Sequence, residues 1–499
     1  MTLLTASPRL GAQSVETRTR SSCDDNVAVP LVLDLDGTLF TVDTLHEAFF
    51  LFLKRNWRAA WRTPLWTLAG RAVVKEKLAR EVTEADIAAF PVNAELLAYS
   101  QREAERGREI VLATAADRSV AEKVAKRFPF IARIVSSDGQ KNLRGAAKAE
   151  ALAALYPDGF VYAGDSFPDL HVWRRAKGAI VASSSPRLLE RAREATQVLA
   201  TFPRRALGFS GLRRALRLHQ WAKNALVFVP LVLGGKALEP SAWLAAAGAF
   251  LAISLLASAT YLFNDLWDLP DDRQHWTKRN RPLASGELSI GFGVGLIALF
   301  GLGAFGLALA EGAGCVGMLA LYLALSLSYS FRLKREPIID VFALAALFTL
   351  RLALGVVVTA VAFSPWLFVF SMFIFLSLSL AKRQTEILRM VEHGREAAAG
   401  RGYKAGDWPL VLAMGVASMV ATVLIMVIYL IEDAFPKGLY RHPDYLWGFA
   451  PIIFLWLSRV WLKCHRGELH DDPVAFALRD KTSLIYAAAM GCCFLLARG

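Results

Sequence analysis

The sequence predicts a multidomain chain, an α/β domain followed by an all-α membrane domain of about nine transmembrane helices. Residues 1–215 mix charged and apolar side chains as a globular domain does, whereas residues 220–497 consist mainly of long apolar runs. The 499-residue chain is 55% hydrophobic with a mean hydropathy of +0.37, which is too apolar for a protein soluble throughout. These observations together predict one soluble and one membrane part.

The net charge of the chain limits the classes of molecule that it is expected to bind. A formal net charge of +13 suits nucleic acid, anionic lipid or phosphorylated substrates. No nucleic-acid module is evident, and the cations cluster between apolar runs, so membrane and phosphate are favoured and no nucleic acid is expected. The cysteines show neither metal-ligand spacing nor a disulfide framework. Residues 1–27 lack the apolar core of a secretory signal and are predicted to be a disordered tail.

Residues 28–200 are the predicted α/β domain, and apolar strand runs there end in polar residues. The runs "VPLVLDLDGTLF", "EIVLATAADR" and "FVYAGDSFPDL" follow one another, with "GAAKAEAL" before the last. The polar residues in these stretches are, in order, Asp34, Asp36, Thr114, Lys148, Asp165 and Asp169. This order resembles the haloacid-dehalogenase superfamily, which implies a Rossmann-like fold with a helical cap, here at about residues 44–105.

The resemblance implies a phosphatase site. Asp34 would attack phosphorus and form an aspartyl phosphate. Asp36 would protonate the leaving alcohol and then activate water, which favours a phosphatase over a dehalogenase. Thr114 and Lys148 would hold the phosphoryl oxygens. The acidic residues of the motifs would bind Mg²⁺: Asp34, Asp36, Asp165 and Asp169.

The predicted cap and linker both carry basic residues. The cap stretch "FFLFLKRNWRAAWRTPLWTLAGR" is aromatic and basic, which suits either an interfacial helix or burial of its aromatics inside the cap. Residues 201–218 are predicted to be a basic linker that its arginines hold near an anionic membrane surface.

Residues 219–499 are predicted to be the membrane domain. Apolar stretches of spanning length lie near residues 222–238, 242–263, 288–310, 313–331, 338–361, 364–381, 408–431, 446–462 and 482–497. Lysine and arginine are concentrated in every second loop, which predicts a multi-pass protein of the inner (plasma) membrane with a cytoplasmic N-terminal domain and an external C-terminus.

The loop after the second apolar stretch, "NDLWDLPDDRQHWTKRNRPLASG", is rich in charge. On a helix turning about 100° per residue, four of its oxygen-bearing side chains share one face: Asn264, Asp265, Asp268 and Asp272. Such side chains repel one another unless a cation lies among them, and hard oxygen ligands beside a phosphorylated substrate suit Mg²⁺. The metal ligands predicted here are Asn264, Asp268 and Asp272, and a solvated, charge-balanced loop is the alternative.

The same loop supplies cations and a helix breaker. Arg273, Lys278 and Arg281 would neutralise phosphate oxygens. Pro270 should kink the helix or end it before Asp272.

The spacing N-D-x-x-D-x-x-x-D resembles the first aspartate motif of the UbiA superfamily of intramembrane prenyltransferases. The second motif should lie in "YSFRLKREPIIDVFALAALFTLR", which offers Tyr329, Lys334, Asp340 and Arg351. Most aromatic prenyltransferases of the family carry a second aspartate four residues after the first, where this chain has Leu344. The motif therefore looks more like the branch of decaprenyl-phosphate phosphoribosyltransferase.

Further stretches resemble the same branch. They are "HQWAKNALVF" with Lys223 and Asn224, "LAKRQTEI", "RGYKAGD" and "DDPVAFALRD". The resemblance implies that Asp268, Asp272 and Asp340 are catalytic. It also implies a set of residues that bind substrate or phosphate: Lys223, Asn224, Arg273, Lys278, Arg281, Tyr329, Lys334 and Arg351.

The expected function follows from both resemblances. The membrane domain would move phosphoribose from phosphoribosyl pyrophosphate, or another diphosphate donor, to polyprenyl phosphate. The phosphatase domain would then remove the 5-phosphate of the product. The alternatives are prenylation of an aromatic or quinone precursor, and a non-catalytic lipid-binding protein. Mg²⁺ is the expected cofactor, and a homo-oligomer is compatible with the sequence.

Overall fold

The computed structural model describes residues 29–56, 58–59, 63–68, 71–137, 143–275, 277–394, 396, 401–469, 476–477 and 479–499. The predicted tail, residues 1–27, lies outside them. The chain divides into two compact units. Unit 1 comprises Met1–Gly211 with Trp267–Gly291, and unit 2 comprises Leu212–Leu266 with Phe292–Gly499. The charged segment 267–291 thus packs with the N-terminal α/β residues, whereas the boundaries 28–200, 201–218 and 219–499 stay predictions.

Unit 1 is built on a six-stranded sheet of order β3-β2-β1-β4-β5-β6 in which every pairing is parallel. This confirms the α/β prediction. The strands are β1 Leu31–Leu33, β2 Ile110–Asp117, β3 Arg133–Ser137, β4 Val161–Gly164, β5 Gly178–Val181 and β6 Val198–Thr201. The central strand β1 is short but wholly buried, since apolar clusters cover both faces of the sheet. Its carboxyl end lies beside those of β2 and β4, the edge where such sheets place their sites.

The helices of unit 1 are α1 Thr44–Arg55, α2 Thr63–Leu68, α3 Arg71–Ala79, α4 Glu84–Ala89, α5 Ala94–Glu105, α6 Arg118–Arg127, α7 Ala146–Leu155, α8 Leu170–Trp173 and α9 Pro186–Ala195, with the start of α10 Phe209–Ala215. Helices α1–α5 lie between β1 and β2, where the cap was predicted. Helix α1 begins after Asp43, whose carboxylate accepts the amides of Leu45 and His46.

The aromatic stretch of the cap is partly buried. Phe50 and Phe52 are buried on α1, and the ring of Trp66 lies 5.0 Å from that of Phe52. For these residues the structure favours packing inside the cap over exposure at a membrane surface.

The regular elements described in unit 2 are helices. Its principal helices are α11 Val229–Leu233, α12 Pro240–Trp267, α14 Ile290–Glu311, α15 Ala313–Phe331, α16 Ile339–Thr359, α17 Pro365–Glu392, α18 Trp408–Tyr429, α19 Phe449–His465 and α20 Lys481–Arg498. In the described part of the chain, seven helices are long and apolar enough to cross a membrane. The number of nine is not confirmed, although the last predicted stretch does lie in α20.

The first predicted span, 222–238, is wrong as a continuous helix. It forms a 3₁₀ helix, Leu218–Phe228, followed by the five-residue α11. Pro230 lacks an amide hydrogen, and Gly234 and Gly235 follow at once, with Gly235 at φ +82°. A proline and two glycines within six residues prevent a regular spanning helix.

The predicted break after α12 is confirmed. Helix α12 ends at Trp267, and the short helix α13, Leu269–Gln274, follows with Pro270 in its first turn. Proline fits there because a first-turn amide has no partner within the helix.

Candidate active sites

The first candidate site lies at the carboxyl end of β1. The Asp34 amide donates to the carbonyl of Ala163 on β4 at 3.0 Å, which fixes the residue at the sheet edge. Lys148, from α7, donates to Asp34 Oδ1 at 2.7 Å and to the hydroxyl of Tyr162 at 3.0 Å. Asp34 and Lys148 are both buried. A charged pair in low dielectric at a sheet edge can bind and attack a phosphoryl group.

Three carboxylates converge at this edge. One oxygen from each of Asp34, Asp165 and Asp169 lies within 4.8 Å of the others. Asp169 is oriented by the Tyr162 hydroxyl at 2.9 Å and by the Ser166 hydroxyl at 2.8 Å. Gly37, at φ +76°, leaves this space open, because a Cβ there would lie 2.2 Å from Asp165 Oδ2. A compact set of hard oxygen donors fits Mg²⁺.

The other predicted phosphatase residues lie on the loops nearby. Asp36 is half-buried and accepts the amide of Thr44 at 2.7 Å, so it belongs to the loop before α1 and not to the carboxylate group that converges. Thr114 is buried on β2, and its hydroxyl accepts the Ala116 amide at 3.0 Å. Sequence reasoning missed Arg204, whose guanidinium lies 3.6 Å from Asp165 Oδ2.

Burial controls the protonation of this site. It raises the pKa of Asp34 to about 6 and that of Asp165 to about 7. Burial, with the Asp43 carboxylate next, raises the pKa of Asp36 to about 7. Burial alone would lower the pKa of Lys148, but Asp34 and the other carboxylates reverse this and raise it. Lys148 therefore remains cationic while Asp34, Asp36 and Asp165 titrate near neutrality.

The second candidate site contains the charged segment of unit 1. Asp268 stands immediately before α13, and Asp272 is buried within it. Arg281 donates to Asp272 Oδ2 at 2.5 Å, and Lys278 Nζ lies 3.8 Å from Oδ1. Two of the three cations predicted to face phosphate, Lys278 and Arg281, thus lie beside the second aspartate of the motif.

Arg273 differs from these cations. Its side chain is 5% exposed, and its guanidinium makes a two-pronged ion pair with Glu47 of α1, at 2.5 and 2.9 Å. Both of these donor nitrogens are therefore occupied within unit 1.

Two polar residues lie in the last turn of α12, within unit 2. Asn264 Oδ1 is buried and has no hydrogen-bond partner among the described residues. The neighbouring Asp265 is buried and pairs with Arg217. An orphaned carbonyl oxygen fits the prediction that Asn264 offers a ligand atom to a metal or substrate.

The second predicted motif forms a buried polar cluster in unit 2. Asp340 accepts the Tyr403 hydroxyl at 2.7 Å and lies 2.7 Å from Arg383 Nη2. Arg383 also pairs with Glu386, and Arg401 lies 3.6 Å from that glutamate. Asp340 is therefore neutralised by protein groups.

Tyr403 also accepts the amide of Ile338 at 2.8 Å, and Ile338 adopts φ +69°. This is an unfavourable backbone conformation for a β-branched residue, and surrounding contacts must hold it. The cluster thus fixes the entry into α16.

A cationic site lies within the helices of unit 2. Arg351 is buried and donates to Asn224 Oδ1 at 2.6 Å and to the Tyr322 hydroxyl at 3.1 Å. Lys223 lies over the ring of Phe348 at 5.6 Å. Ionisable residues inside a membrane are costly and usually serve binding or transport, so this site suits an anionic group.

The family now follows from sequence comparison. A model of the UbiA prenyltransferase family matches residues 225–485, more than half of the chain. The chain belongs to the UbiA prenyltransferase family. Its UbiA part, with the candidate spans, makes it a multi-pass membrane protein and an enzyme.

A model of haloacid dehalogenase-like hydrolases matches residues 31–174. This UbiA protein therefore carries a haloacid-dehalogenase-like domain at its N-terminus. The first candidate site, with Asp34, Lys148, Asp165 and Asp169, lies within that match.

Three relatives of this UbiA protein differ in the share of the chain they match. The uncharacterized protein y4nM of Sinorhizobium fredii is 41% identical over 94% of this chain and 91% of its own length. Nodulation protein NoeC of Azorhizobium caulinodans is 32% identical over 56% and 92%. Decaprenyl-phosphate phosphoribosyltransferase of Corynebacterium glutamicum is 36% identical over 43% and 65%.

The remaining predicted residues of the UbiA part sit at helix ends. Tyr329 is half-buried near the end of α15, and Lys334 is half-buried in the turn before α16. Sequence reasoning missed Tyr322 and Glu47, and it noted the stretches of Arg383 and Tyr403 only for their resemblance. The signal for Arg383 was a cation with Glu386 three residues on, in a polar stretch directly after a long apolar run.

Proposed function

We propose that the UbiA part transfers phosphoribose from phosphoribosyl pyrophosphate to polyprenyl phosphate. The observation that carries the proposal is the state of the second motif. Asp340 is paired with Arg383 and Tyr403, and Leu344 stands where a further carboxylate would serve a second metal. A buried cation such as Arg351 suits an acceptor that is itself an anion. Such an acceptor needs no strong general base.

Asn264, Asp268 and Asp272 would hold Mg²⁺ in this proposal, and their oxygens suit it. When bound, the ion stabilises the charge that develops on the leaving diphosphate. Lys278 and Arg281, already gathered around Asp272, would bind the phosphate oxygens. Lys223, Asn224, Tyr329, Lys334 and Arg351 would receive the lipid phosphate and the donor.

The haloacid-dehalogenase-like domain would act on the product. An Asp34 oxygen would attack the phosphorus of the 5-phosphate, with Asp36 giving its proton to the departing ribose oxygen. Water, deprotonated by Asp36, would then release inorganic phosphate and restore Asp34. Lys148 would neutralise the phosphoryl oxygens, and Asp34, Asp165 and Asp169 would hold Mg²⁺, which lowers the charge repulsion between phosphate and nucleophile. The final lipid would be polyprenyl-phosphoryl ribose.

The name of one relative supports the proposal. One relative is named decaprenyl-phosphate phosphoribosyltransferase, at 36% identity. We place both sites on the cytoplasmic side of the inner membrane, where the basic loops are predicted to lie.

The test uses membranes that contain the full chain, phosphoribosyl pyrophosphate labelled in the ribose, polyprenyl phosphate and Mg²⁺. We expect label in an acid-labile lipid. Asp272→Asn should remove it, whereas Asp271→Asn, whose side chain is 81% exposed, should retain it. Label that stays water-soluble with the wild type would contradict the proposal.

Prenylation of an aromatic or quinone precursor is the second candidate, favoured by the match to the prenyltransferase family model itself. The same membranes supplied with a prenyl diphosphate and an aromatic acid decide between them. A prenylated aromatic product without label transfer from phosphoribosyl pyrophosphate would establish this alternative.

A further inference from the structure

An ion pair within unit 1 joins the cap to the aspartate motif. Glu47 lies on α1, and Arg273 directly follows Asp272 on α13. The two side chains are 2% and 5% exposed, and two nitrogen–oxygen contacts of 2.5 and 2.9 Å join them. Two parallel contacts between a guanidinium and a carboxylate fix orientation as well as distance. The pair joins residues 226 positions apart in sequence.

Neighbouring contacts extend this junction. The Thr41 hydroxyl donates to the carbonyl of Ser285 at 3.1 Å. Gly286, at φ +80°, packs so closely that a Cβ there would lie 2.4 Å from Thr41 Oγ1. The Arg273 guanidinium also lies 5.4 Å from the ring centre of Phe90. A hydrogen bond, a close glycine contact and an aromatic face therefore accompany the ion pair.

The junction joins the stretch that follows Asp34 to the aspartate motif that contains Asp268 and Asp272. Thr41 and Glu47 lie in the stretch that begins with the phosphatase nucleophile Asp34 and continues into α1. On the other side, α13 carries Asp272 and follows Asp268, whose carbonyl accepts the Asp272 amide at 2.9 Å. Holding Arg273 consequently restricts the backbone that carries both aspartates.

We propose that Glu47 is a positioning residue for the transferase, and that the haloacid-dehalogenase-like domain holds the segment 267–291 in its metal-binding conformation. This rests on the proposed function of Asp268 and Asp272 as metal ligands. It replaces the predicted role of Arg273 as a phosphate ligand with a structural one. Removing the Glu47 charge leaves a buried guanidinium without its carboxylate, which favours opening of the segment.

The experiment uses the full chain in nanodiscs and two independent measurements. Glu47→Gln should speed hydrogen exchange of amides within 267–291 by on the order of a hundredfold. It should also raise the Mg²⁺ concentration for half-maximal transfer. Glu105→Gln, an exposed change on α5, should alter neither. Hydrolysis of p-nitrophenyl phosphate reports that the α/β domain remains folded.

A charge exchange distinguishes positioning from phosphate binding. Arg273→Glu alone should lose both exchange protection and transfer. Adding Glu47→Arg should recover protection and part of the transfer, because the pair forms again with its charges reversed. A phosphate-binding arginine could not be rescued from α1, so failure of the double variant to recover either measurement overturns the proposal.

The two hypotheses fail separately. Unchanged exchange in Glu47→Gln overturns the positioning role whatever the substrate is. If exchange responds to Glu47 but wild-type protein transfers no phosphoribose, the junction is supported and the proposed reaction is the part that fails.

Discussion

Arg383 lies 2.7 Å from Asp340, with side chains that are 1% and 0% exposed. The aspartate that sequence marks as the second catalytic motif is thus the counter-ion of an arginine on another helix. Its other oxygen accepts the Tyr403 hydroxyl. This arrangement favours a role in fixing α16 against α17 and leaves little capacity for a metal.

Asp340→Asn should therefore destabilise the protein. The substitution leaves the Arg383 charge buried with weaker compensation, which costs about 3–5 kcal/mol. We expect a lower unfolding temperature in detergent and a reduced yield of folded protein, with Asp444→Asn, a change at an exposed residue of a 3₁₀ helix, as the control. Normal stability with complete loss of transfer would instead indicate a direct catalytic role.

Asp34→Asn should separate the two reactions. The change removes the nucleophilic charge at nearly constant shape, so phosphate release should fall by more than about a hundredfold. Transfer to the lipid should persist, and the phosphorylated lipid should accumulate until an unrelated phosphatase is added. Thin-layer chromatography of labelled lipids measures this, and Asp158→Asn, an exposed change, is the control.

Two results for Asp34→Asn would contradict this account. Loss of transfer would mean that phosphatase chemistry, and not only the contact through Glu47, is needed by the membrane reaction. The same final lipid as the wild type would mean that the phosphatase acts on another molecule.

Binding of Mg²⁺ at Asp34 and Asp165 should depend on pH. Their pKa values are raised by burial to about 6 and about 7, so the metal-free site holds protons below neutrality. The ion binds the ionised carboxylates and releases those protons, so affinity should rise from about pH 5.5 to pH 8 and then level off. The steepest part should approach tenfold per pH unit for each proton released.

Calorimetry in buffers of different ionisation enthalpy would count these protons. Because the proposed membrane site would also bind Mg²⁺, the measurement is made on Asp272→Asn protein. An affinity unchanged across this range would show that the carboxylates are already ionised.

The orientation of the membrane part is also testable. Single cysteines at Arg279 and Lys404, both exposed, should react with an impermeant maleimide only after the membrane is opened. A cysteine at Lys437 should react in intact cells, because the basic loops are predicted to lie inside. The reverse pattern would invert the topology, and a background lacking the natural cysteines is the control.

The local features of this protein follow from the sequence alone. The apolar run into Asp34 predicted a buried strand ending in a polar site, and β1 has that form. Long apolar runs predicted membrane helices, and Pro270 predicted the break after α12. These features depend on neighbours along the chain, through strand periodicity, helix length and the missing amide hydrogen of proline.

Which charged side chains pair with one another depends on the packing of distant segments. Arg273 and Lys278 look alike in sequence, yet Arg273 is paired with Glu47 of a distant helix whereas Lys278 lies near Asp272. Asp340 is predicted from the sequence to be catalytic, yet packing of α17 against α16 places Arg383 beside it. The charge of a side chain is known from the sequence, but its partner is set by packing between segments far apart in the chain. That partner determines whether a carboxylate binds a metal or neutralises an arginine.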